Sequence, residues 1–261
     1  MLKVNNMSEK HILKNVNFAI NPGDRLVIVG PNGGGKSTLL SQITELSQPT
    51  QGTIENDLLP IGEVFQNNIL DDDLTVYDNL KLRSVTQQQF QVALDKLYGL
   101  HIDEKKKYRE LSGGQKRIVN YIRVIINQPQ LLILDEMSVG IDYDIRHILW
   151  QDILAYLKEK SNSALIFTTH NLDEIAYANK ILFLKDGQVS YFGAVDQYMK
   201  TMPKCKLIDE NHQVVKYFES AYEASQYVVA HPEFKQKSFE IMRNSYDDLF
   251  EDLKAGMIDE N

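Results

Sequence analysis

The chain has 261 residues, of which 43% are hydrophobic, so it can bury the core of one α/β domain and an appended segment. Its net charge of −8 at pH 7 argues against a nucleic-acid-binding surface, and its single cysteine, Cys205, excludes an intramolecular disulfide framework and suits a reducing compartment. No apolar run approaches the ~18 residues of a transmembrane helix and no signal peptide opens the sequence, so we expect any membrane-spanning path to lie in another chain.

The first predicted elements are two strands joined by a turn. Residues 16–20 alternate apolar and polar side chains, which is typical of a half-buried strand. Residues 21–24 contain Pro and Gly and predict a turn, and residues 26–29 form a short apolar run that predicts a buried strand. A pattern with helical spacing follows, formed by Leu39, Leu40, Ile43 and Leu46.

Between this strand and this helix lies a glycine-rich loop, residues 30–38, with the sequence Gly-Pro-Asn-Gly-Gly-Gly-Lys-Ser-Thr. Strand, glycine turn and helix in this order are the context of a phosphate-binding loop, in which N–H groups and a helix N-terminus face one anion. We predict that Lys36 reaches the β- and γ-phosphates of a nucleotide, that Ser37 ligates Mg²⁺, and that Thr38 lies near the α-phosphate. The other predicted nucleotide contacts in the loop are Asn32, Gly33, Gly34 and Gly35. The alternative, a turn that only connects a strand to a helix, is disfavoured by the complete motif.

Helical patterns dominate the region from about residue 67 to residue 127. They cover residues 76–82, 90–97 and 118–126, and no strong strand pattern lies among them. The sequence Leu-Ser-Gly-Gly-Gln at residues 111–115 precedes the last of these helices. Taken alone, it is compatible with an ordinary helix N-terminus that is capped by Ser112.

An apolar run at residues 131–136 ends in two carboxylates, Asp135 and Glu136. The run is typical of a buried strand. We predict that Asp135 holds Mg²⁺ directly or through water and that Glu136 polarises the attacking water. The alternative is a solvated loop, which the upstream phosphate-binding loop disfavours.

Taken together, these motifs resemble the ATP-binding subunits of ABC transporters, from roughly the N-terminus to about Gly193. The matching segments, in the order of that family, are its Q-loop (residues 64–66), signature (111–115), Walker B strand (131–136), D-loop (140–142) and switch histidine (168–170). The resemblance implies an α/β fold, a P-loop NTPase of the ABC ATPase type with a helical subdomain at about residues 67–127. The ATPase domain would cover residues 1–198, and a mostly helical C-terminal extension would cover residues 199–261.

The resemblance also implies roles for individual side chains. Gln66 would contact Mg²⁺ or the attacking water, His170 would donate a hydrogen bond to the γ-phosphate, and Asp142 would join the subunit contact around the site. In this family two ATP-binding domains pack head to tail, so the signature of one chain would meet the nucleotide held by Lys36 of the other. The signature residues that would contact this nucleotide are Ser112, Gly113, Gly114 and Gln115. Considered alone, each of these three residues has an ordinary interpretation. Gln66 would be a solvated loop residue, His170 a surface or core histidine, and Asp142 a helix cap.

The implied function is ATP hydrolysis with Mg²⁺, by a homodimer or heterodimer that powers a separate membrane permease from the cytoplasmic face of the membrane. The sequences of residues 140–142 and 167–174 favour an exporter of peptides, antibiotics or polysaccharides. The alternatives are an importer subunit and a soluble ABC ATPase that acts as an assembly scaffold. Residues 1–10 lack the aromatic ring that most relatives stack on adenine, and we expect Phe18 to lie in the core.

Beyond the motifs, the sequence predicts two hairpins and two further helices. One hairpin spans residues 180–192 around Asp-Gly, which favours a tight turn, and another spans residues 206–218. Residues 220–230 and 234–255 have helical patterns, separated by Pro232. The acidic end is interpreted as a solvated helical tail, and a regulatory or dimer-contacting appendage is the alternative.

Overall fold

The computed structural model describes residues 1–64, 69–235 and 238–255, so the predicted site residue Gln66 lies outside the described residues. Within these ranges the chain forms two compact units. The first unit comprises the described residues of Met1–His170 and Tyr177–Phe192, and the second comprises Asn171–Ala176 and the described residues from Gly193 onward.

The strands are β1 (Leu2–Glu9), β2 (Leu13–Ile20), β3 (Arg25–Val29), β4 (Gln51–Asn56), β5 (Ile61–Val64), β6 (Leu131–Asp135), β7 (Ala164–Thr168), β8 (Lys180–Lys185), β9 (Gln188–Ala194), β10 (Cys205–Asp209), β11 (Val214–Phe218) and β12 (Phe239–Arg243). The helices are α1 (Lys36–Ile43), α2 (Val76–Arg83), α3 (Gln87–Gly99), α4 (Gly113–Ile125), α5 (Tyr143–Glu159), α6 (Val195–Thr201), α7 (Ala221–Ala230) and α8 (Tyr246–Ala255). Short 3₁₀ turns lie at Tyr108–Glu110, Leu172–Tyr177 and Pro232–Lys235.

A six-stranded sheet in the order β5-β6-β7-β3-β8-β9 forms the centre of the first unit. Neighbouring strands from β5 to β8 are parallel, and their apolar side chains are almost fully buried except for Ile61, which is partly buried. The carboxyl ends of β3, β6 and β7 therefore meet at one edge, where Ile28 pairs with Thr168 and Thr168 pairs with Asp135. This edge receives the glycine-rich loop after β3 and the acidic pair at the end of β6.

The β8–β9 hairpin confirms the predicted Asp-Gly turn, because Asp186 and Gly187 have φ values of 50° and 77°, as two-residue hairpin loops require. Phe18 is 5% exposed and its ring centroid lies 5.9 Å from that of Phe192. Its predicted position in the core is confirmed.

A second sheet, antiparallel in the order β2-β1-β4, completes the strands of the first unit. Strand β1 was not predicted from the sequence, although Leu2, Val4 and Met7 are buried. The pairing register of β1 shifts between Val4 and Met7, and Asn6 has φ 47°. Such a bulge interrupts the alternation of apolar and polar residues from which strands are predicted.

The predicted helices of the central region are confirmed as α2, α3 and α4, and no strand lies between residues 69 and 127, all of which are described. The helix after the glycine-rich loop is shorter than predicted. It ends at Ile43, and Leu46, which the pattern included, is 64% exposed. Glu45 has φ 60°, a left-handed conformation that an α-helix does not continue through.

The second unit contains the helices α7 and α8 and a three-stranded antiparallel sheet in the order β11-β10-β12, so its strands extend beyond the hairpin that was predicted there. The predicted hairpin at residues 206–218 is confirmed as β10 and β11, and the helix at residues 220–230 as α7. The predicted helix at residues 234–255 is a 3₁₀ turn, β12 and α8 instead. Phe239 and Ile241 alternate along β12 and pack against the buried cluster of this unit, whereas Met242, which lies in the range predicted as helical, is 43% exposed.

The acidic end of the second unit is not uniformly solvated. Asp248 is 6% exposed, and Lys206 Nζ donates to both of its carboxylate oxygens, at 2.7 and 2.8 Å. Burial raises the pKa of Asp248, but hydrogen bonds from Lys206 and Ser245 outweigh burial and lower it below its ordinary value of 3.8. The interpretation as a solvated tail is therefore wrong for Asp248.

Replacing Asp248 by Asn is expected to lower the free energy of unfolding by about 2 kcal/mol at pH 7, because Lys206 keeps its charge and loses its partner. Since the folded pKa is lowered, the stabilisation is present above pH 3.8 and is lost as the pH falls through the folded pKa. The effect of the substitution should therefore shrink in strong acid. Denaturant unfolding at pH 7 and pH 2.5 measures both, with D247N at the exposed Asp247 as the control. Equal effects of the two substitutions at pH 7 would contradict the expectation.

Candidate nucleotide site

The glycine-rich loop lies tightly against strand β8. Gly30 has φ 148°, and a Cβ atom there would overlap the carbonyl oxygen of Leu184. A Cβ atom on Gly34 would come within 2.8 Å of the same oxygen. Gly33 has open space on its Cβ side, so the loop is packed on one side and accessible on the other.

Lys36 begins helix α1 and is 9% exposed. Its Nζ donates to the carbonyl oxygens of Gly30, at 2.8 Å, and of Pro31, at 3.1 Å. Burial lowers the pKa of Lys36, and the nearby carboxylates of Glu136 and Asp135 act in the opposite direction. The ammonium group is thus fixed beside the loop that a phosphate would occupy.

The N-terminus of α1 has the groups that an anion requires. Gly35 is the N-cap and supplies no side-chain hydrogen bond, so the first N–H groups of the helix keep their donor capacity for a ligand. Ser37 is exposed and Thr38 is half-buried, so both hydroxyls lie near the surface of the site. Asn32 and Gly33 are also exposed. The loop and the helix N-terminus together fit a polyphosphate.

The two carboxylates at the end of β6 form a network with the end of β7. Thr168 Oγ1 donates to Asp135 Oδ1 at 2.5 Å and accepts from the backbone N–H of Glu136 at 2.9 Å. His170 Nε2 lies 2.7 Å from Glu136 Oε1. The structure thus brings together Asp135, Glu136 and His170, three of the predicted residues.

The residues predicted to hold Mg²⁺ fit an ion that keeps several waters and phosphate oxygens as ligands. Mg²⁺ sites beside phosphates use one or two carboxylates, and here Asp135 and the Ser37 hydroxyl are the available groups. No cluster of three or more His, Cys, Asp or Glu side chains that could hold a metal occurs within residues 1–64, 69–235 and 238–255. These groups fit a site in which the protein would supply only some of the Mg²⁺ ligands and phosphate oxygens and waters would supply the rest. The third predicted ligand, Gln66, lies outside the described residues.

The signature residues form the N-terminus of α4. Ser112 is the N-cap, its Oγ accepts from Gln115 N at 3.2 Å, and Gln115 Oε1 accepts from Ser112 N at 3.1 Å. Ser112 and Gly113 are exposed, whereas Gly114 is buried, and a Cβ atom on Gly114 would overlap the Gly140 carbonyl oxygen. The helix-cap interpretation and an exposed anion-binding N-terminus are both compatible with this geometry.

Asp142 lies beside the signature. It takes the N-cap position of α5, where its side chain makes no capping hydrogen bond, and it is exposed. A cavity of about 80 Å³ is lined by Asp142 together with Ser112, Gly114 and Gln115. The structure therefore groups Asp142 with the signature of the same chain.

Sequence reasoning did not single out Thr168, Arg117 or Glu63 as individual site residues. Arg117 Nη1 donates to the carbonyl oxygen of Glu136. Burial raises the pKa of Glu63 to about 7, a hydrogen bond from Thr44 opposes this, and the Asp135 carboxylate adds to it. Glu63 could have been noticed in the sequence because it is a charged residue between the apolar residues of β5. No sequence pattern pointed to Arg117.

The parallel sheet, the glycine-rich loop between β3 and α1 and the acidic pair at the end of β6 define a P-loop NTPase. Residues 13–139 match the family described as ABC transporter. The zinc import ATP-binding protein ZnuC of Pasteurella multocida (strain Pm70) is 37% identical over 179 residues, which cover 67% of this chain and 67% of ZnuC. The chain belongs to the ATP-binding family of ABC transporters.

Two further comparisons agree with this assignment. The spermidine/putrescine import ATP-binding protein PotA of Legionella pneumophila (strain Paris) is 34% identical over 200 residues, which cover 70% of this chain and 55% of PotA. The chain thus spans little more than half the length of that relative. The dimeric post-hydrolysis structure of the ATP-binding cassette MJ0796 bound to ADP and Pi is 26% identical, with a TM-score of 0.68, and covers 75% of this chain and 99% of the cassette.

Proposed function

We propose that the chain hydrolyses ATP as one subunit of a homodimer or heterodimer and thereby powers a separate membrane permease. The network of Asp135, Thr168, Glu136 and His170 at the edge that carries the phosphate-binding loop is the observation that supports it most strongly. It supports the proposal because Glu136 is a carboxylate that could activate water, at the same edge of the sheet as the loop that would bind a polyphosphate.

Each residue of the site has a role in this proposal. Lys36 binds the β- and γ-phosphates, and Thr38 lies near the α-phosphate. Ser37, Asp135 and Gln66 would hold Mg²⁺, and the chemistry this ion would supply is positive charge beside the transferred phosphoryl group. Glu136 accepts a proton from the attacking water. His170 orients the Glu136 carboxylate and donates to the γ-phosphate.

The second half of the proposed site comes from a partner subunit. The exposed N-terminus of α4, with Ser112, Gly113, Gly114 and Gln115, would cap the γ-phosphate held by the partner's loop, because a helix N-terminus favours an anion. Asp142, which lies beside the signature, would contribute to the same subunit contact. Nucleotide would then hold the two subunits together.

For the direction of transport we propose import. ZnuC and PotA are both described as import ATP-binding proteins. They support the alternative that the sequence left open better than they support the exporter expectation based on residues 140–142 and 167–174. The cassette MJ0796 carries no direction in its description.

We further propose residues 1–198 as the ATPase domain and residues 199–261 as an extension that tunes dimer closure or permease docking. The subunit would sit peripherally at the cytoplasmic face of the membrane. None of the helices in the described part of the chain has the length and apolar character that a bilayer span requires.

The test of the proposed function measures phosphate release by the purified chain with ATP, with and without Mg²⁺. Mg²⁺-dependent release is expected, and its absence in a folded chain would contradict hydrolysis. The permease is tested by isolating the chain from detergent-solubilised membranes. A stoichiometric partner with several membrane spans that changes the ATPase rate is expected, whereas an exclusively water-soluble complex would favour the assembly-scaffold alternative.

Discrimination between ATP and GTP is expected to be modest, below roughly 100-fold, or about 2.7 kcal/mol. The phosphate and Mg²⁺ contacts do not read the base, and residues 1–10 contain no aromatic ring. The turn that carries the exposed His11 lies next to the loop, since a Cβ atom on Gly35 would be 3.5 Å from the Ile12 carbonyl oxygen. Competition binding measures the ratio, with H11A showing what this turn adds. A stronger preference for ATP would reveal an adenine contact elsewhere.

A further inference from the structure

Arg117 connects two parts of the site that the sequence motifs treat separately. It lies on the second turn of α4, and its Nη1 donates to the carbonyl oxygen of Glu136. On the first turn of the same helix, Gly114 packs against the backbone of Gly140 and Ile141. The start of α4 therefore contacts both ends of the segment that begins with the acidic pair and leads to α5.

Glu136 needs support from its surroundings because it has φ 49°, in the left-handed region that is uncommon for a residue with a side chain. Its N–H is held by Thr168 Oγ1 at 2.9 Å, and its carboxylate oxygen Oε1 lies 2.7 Å from His170 Nε2. Its carbonyl oxygen accepts from Arg117 Nη1 and, at 3.3 Å, from the backbone N–H of Val139. Several neighbours thus hold the polar groups of Glu136, and among them Arg117 and Thr168 contact its backbone through their side chains.

We propose that Arg117 is a positioning residue, which holds Glu136 in its catalytic orientation and links it to the signature of the same chain. The inference rests on the proposed function, in which Glu136 acts on the chain's own nucleotide while Ser112 caps the partner's nucleotide. Arg117 then joins the two nucleotide sites of a dimer through one helix. When α4 moves at the nucleotide of the partner, the Arg117 side chain transmits this movement to Glu136, which acts on the nucleotide of its own chain.

The first test compares R117Q and R117K in the full chain. R117Q is expected to lower kcat by about 10- to 100-fold, because small misplacements of a reacting group cost this much, while the Kd for ATP changes less than about threefold. R117K should recover part of kcat, since it also donates to a carbonyl. The matched control is R109Q, because Arg109 is an exposed arginine in an ion pair with Asp73 at 2.7 Å. An unchanged kcat in R117Q, or parallel losses of kcat, ATP affinity and thermal stability, would overturn the inference.

The second test uses a heterodimer with one working site. One chain carries S112R and keeps Lys36, and the other carries K36A and keeps Ser112, so the intact site uses Glu136 of the first chain. R117Q in the first chain is expected to lower the rate by about 10-fold or more, and in the second chain to change it less than about twofold. Equal losses from both placements would show a general effect on α4 and overturn the inference. An inactive heterodimer before R117Q is added would instead contradict the shared site of the proposed function, and the homodimer test would still decide on Arg117.

Discussion

Replacing Glu136 by Gln is expected to lower ATP turnover by roughly 10²–10⁴-fold and to leave ATP binding nearly intact. Gln keeps the size of the side chain and a carbonyl oxygen toward His170, which lies 2.7 Å from Glu136 Oε1, but it cannot accept the proton of the attacking water. The backbone contacts of residue 136 with Thr168 and Arg117 do not involve the substituted group. Only the chemical step should therefore be affected.

Single-turnover kinetics and equilibrium ATP binding measure the two effects of E136Q separately. The ATP-bound dimer should accumulate, which size-exclusion chromatography with light scattering detects. The matched control is E159Q, at the end of α5, which removes a carboxylate outside the site. A wild-type rate in E136Q would show that Glu136 is not the catalytic carboxylate.

Two variants that are inactive alone are expected to regain activity when mixed. Lys36→Ala removes the ammonium group of the phosphate-binding loop, and Ser112→Arg places a bulky side chain at the exposed N-terminus of α4. In a head-to-tail dimer of the two variants, one site keeps both Lys36 and Ser112, whereas the other site loses both. Activity of the mixture should approach about half of the wild-type rate per heterodimer if one site can work alone.

This experiment requires proof of heterodimers, for which two different affinity tags and sequential purification are suitable. The control mixes each variant with a differently tagged copy of itself, which should stay inactive. Purified heterodimers without any gain in activity would contradict independent composite sites. Wild-type activity of the S112R homodimer would exclude the signature from the site altogether.

The sequence predicted most strands of the central sheet from short apolar runs and the helical region from regular apolar spacing, but it did not predict β5. Strands β3, β6 and β7 are short apolar runs next to motifs, and the helices α2 to α4 have regular apolar spacing. Strands β1 and β12 were missed for different reasons. A bulge at Asn6 breaks the alternation in β1, whereas β12 is so short that Phe239 and Met242 fit a helical spacing as well.

The residues of the candidate site also fall into those that could be predicted from the sequence and those that could not. Lys36, Asp135, Glu136 and His170 could be predicted because their motifs carry the chemistry in consecutive residues. Thr168 and Arg117 act through tertiary structure, since the pairing of β7 with β6 places Thr168 opposite Asp135, and the packing of α4 brings Arg117 to a backbone carbonyl. Neither the register of strands distant in sequence nor the docking of a helix is encoded in a local pattern.

The hydroxyl of Thr168 also gives the network a direction. Donation runs from the Glu136 peptide to Thr168 and from Thr168 to Asp135, so the two hydrogen bonds are in series and polarise each other. Charge that accumulates on Asp135 strengthens both bonds, and a cation that withdraws this charge weakens both. The charge on Asp135, the carboxylate proposed to hold Mg²⁺, therefore affects the peptide group of Glu136 through these two hydrogen bonds. A valine at position 168 would keep the shape of the side chain but would remove both hydrogen bonds, because it lacks the hydroxyl oxygen.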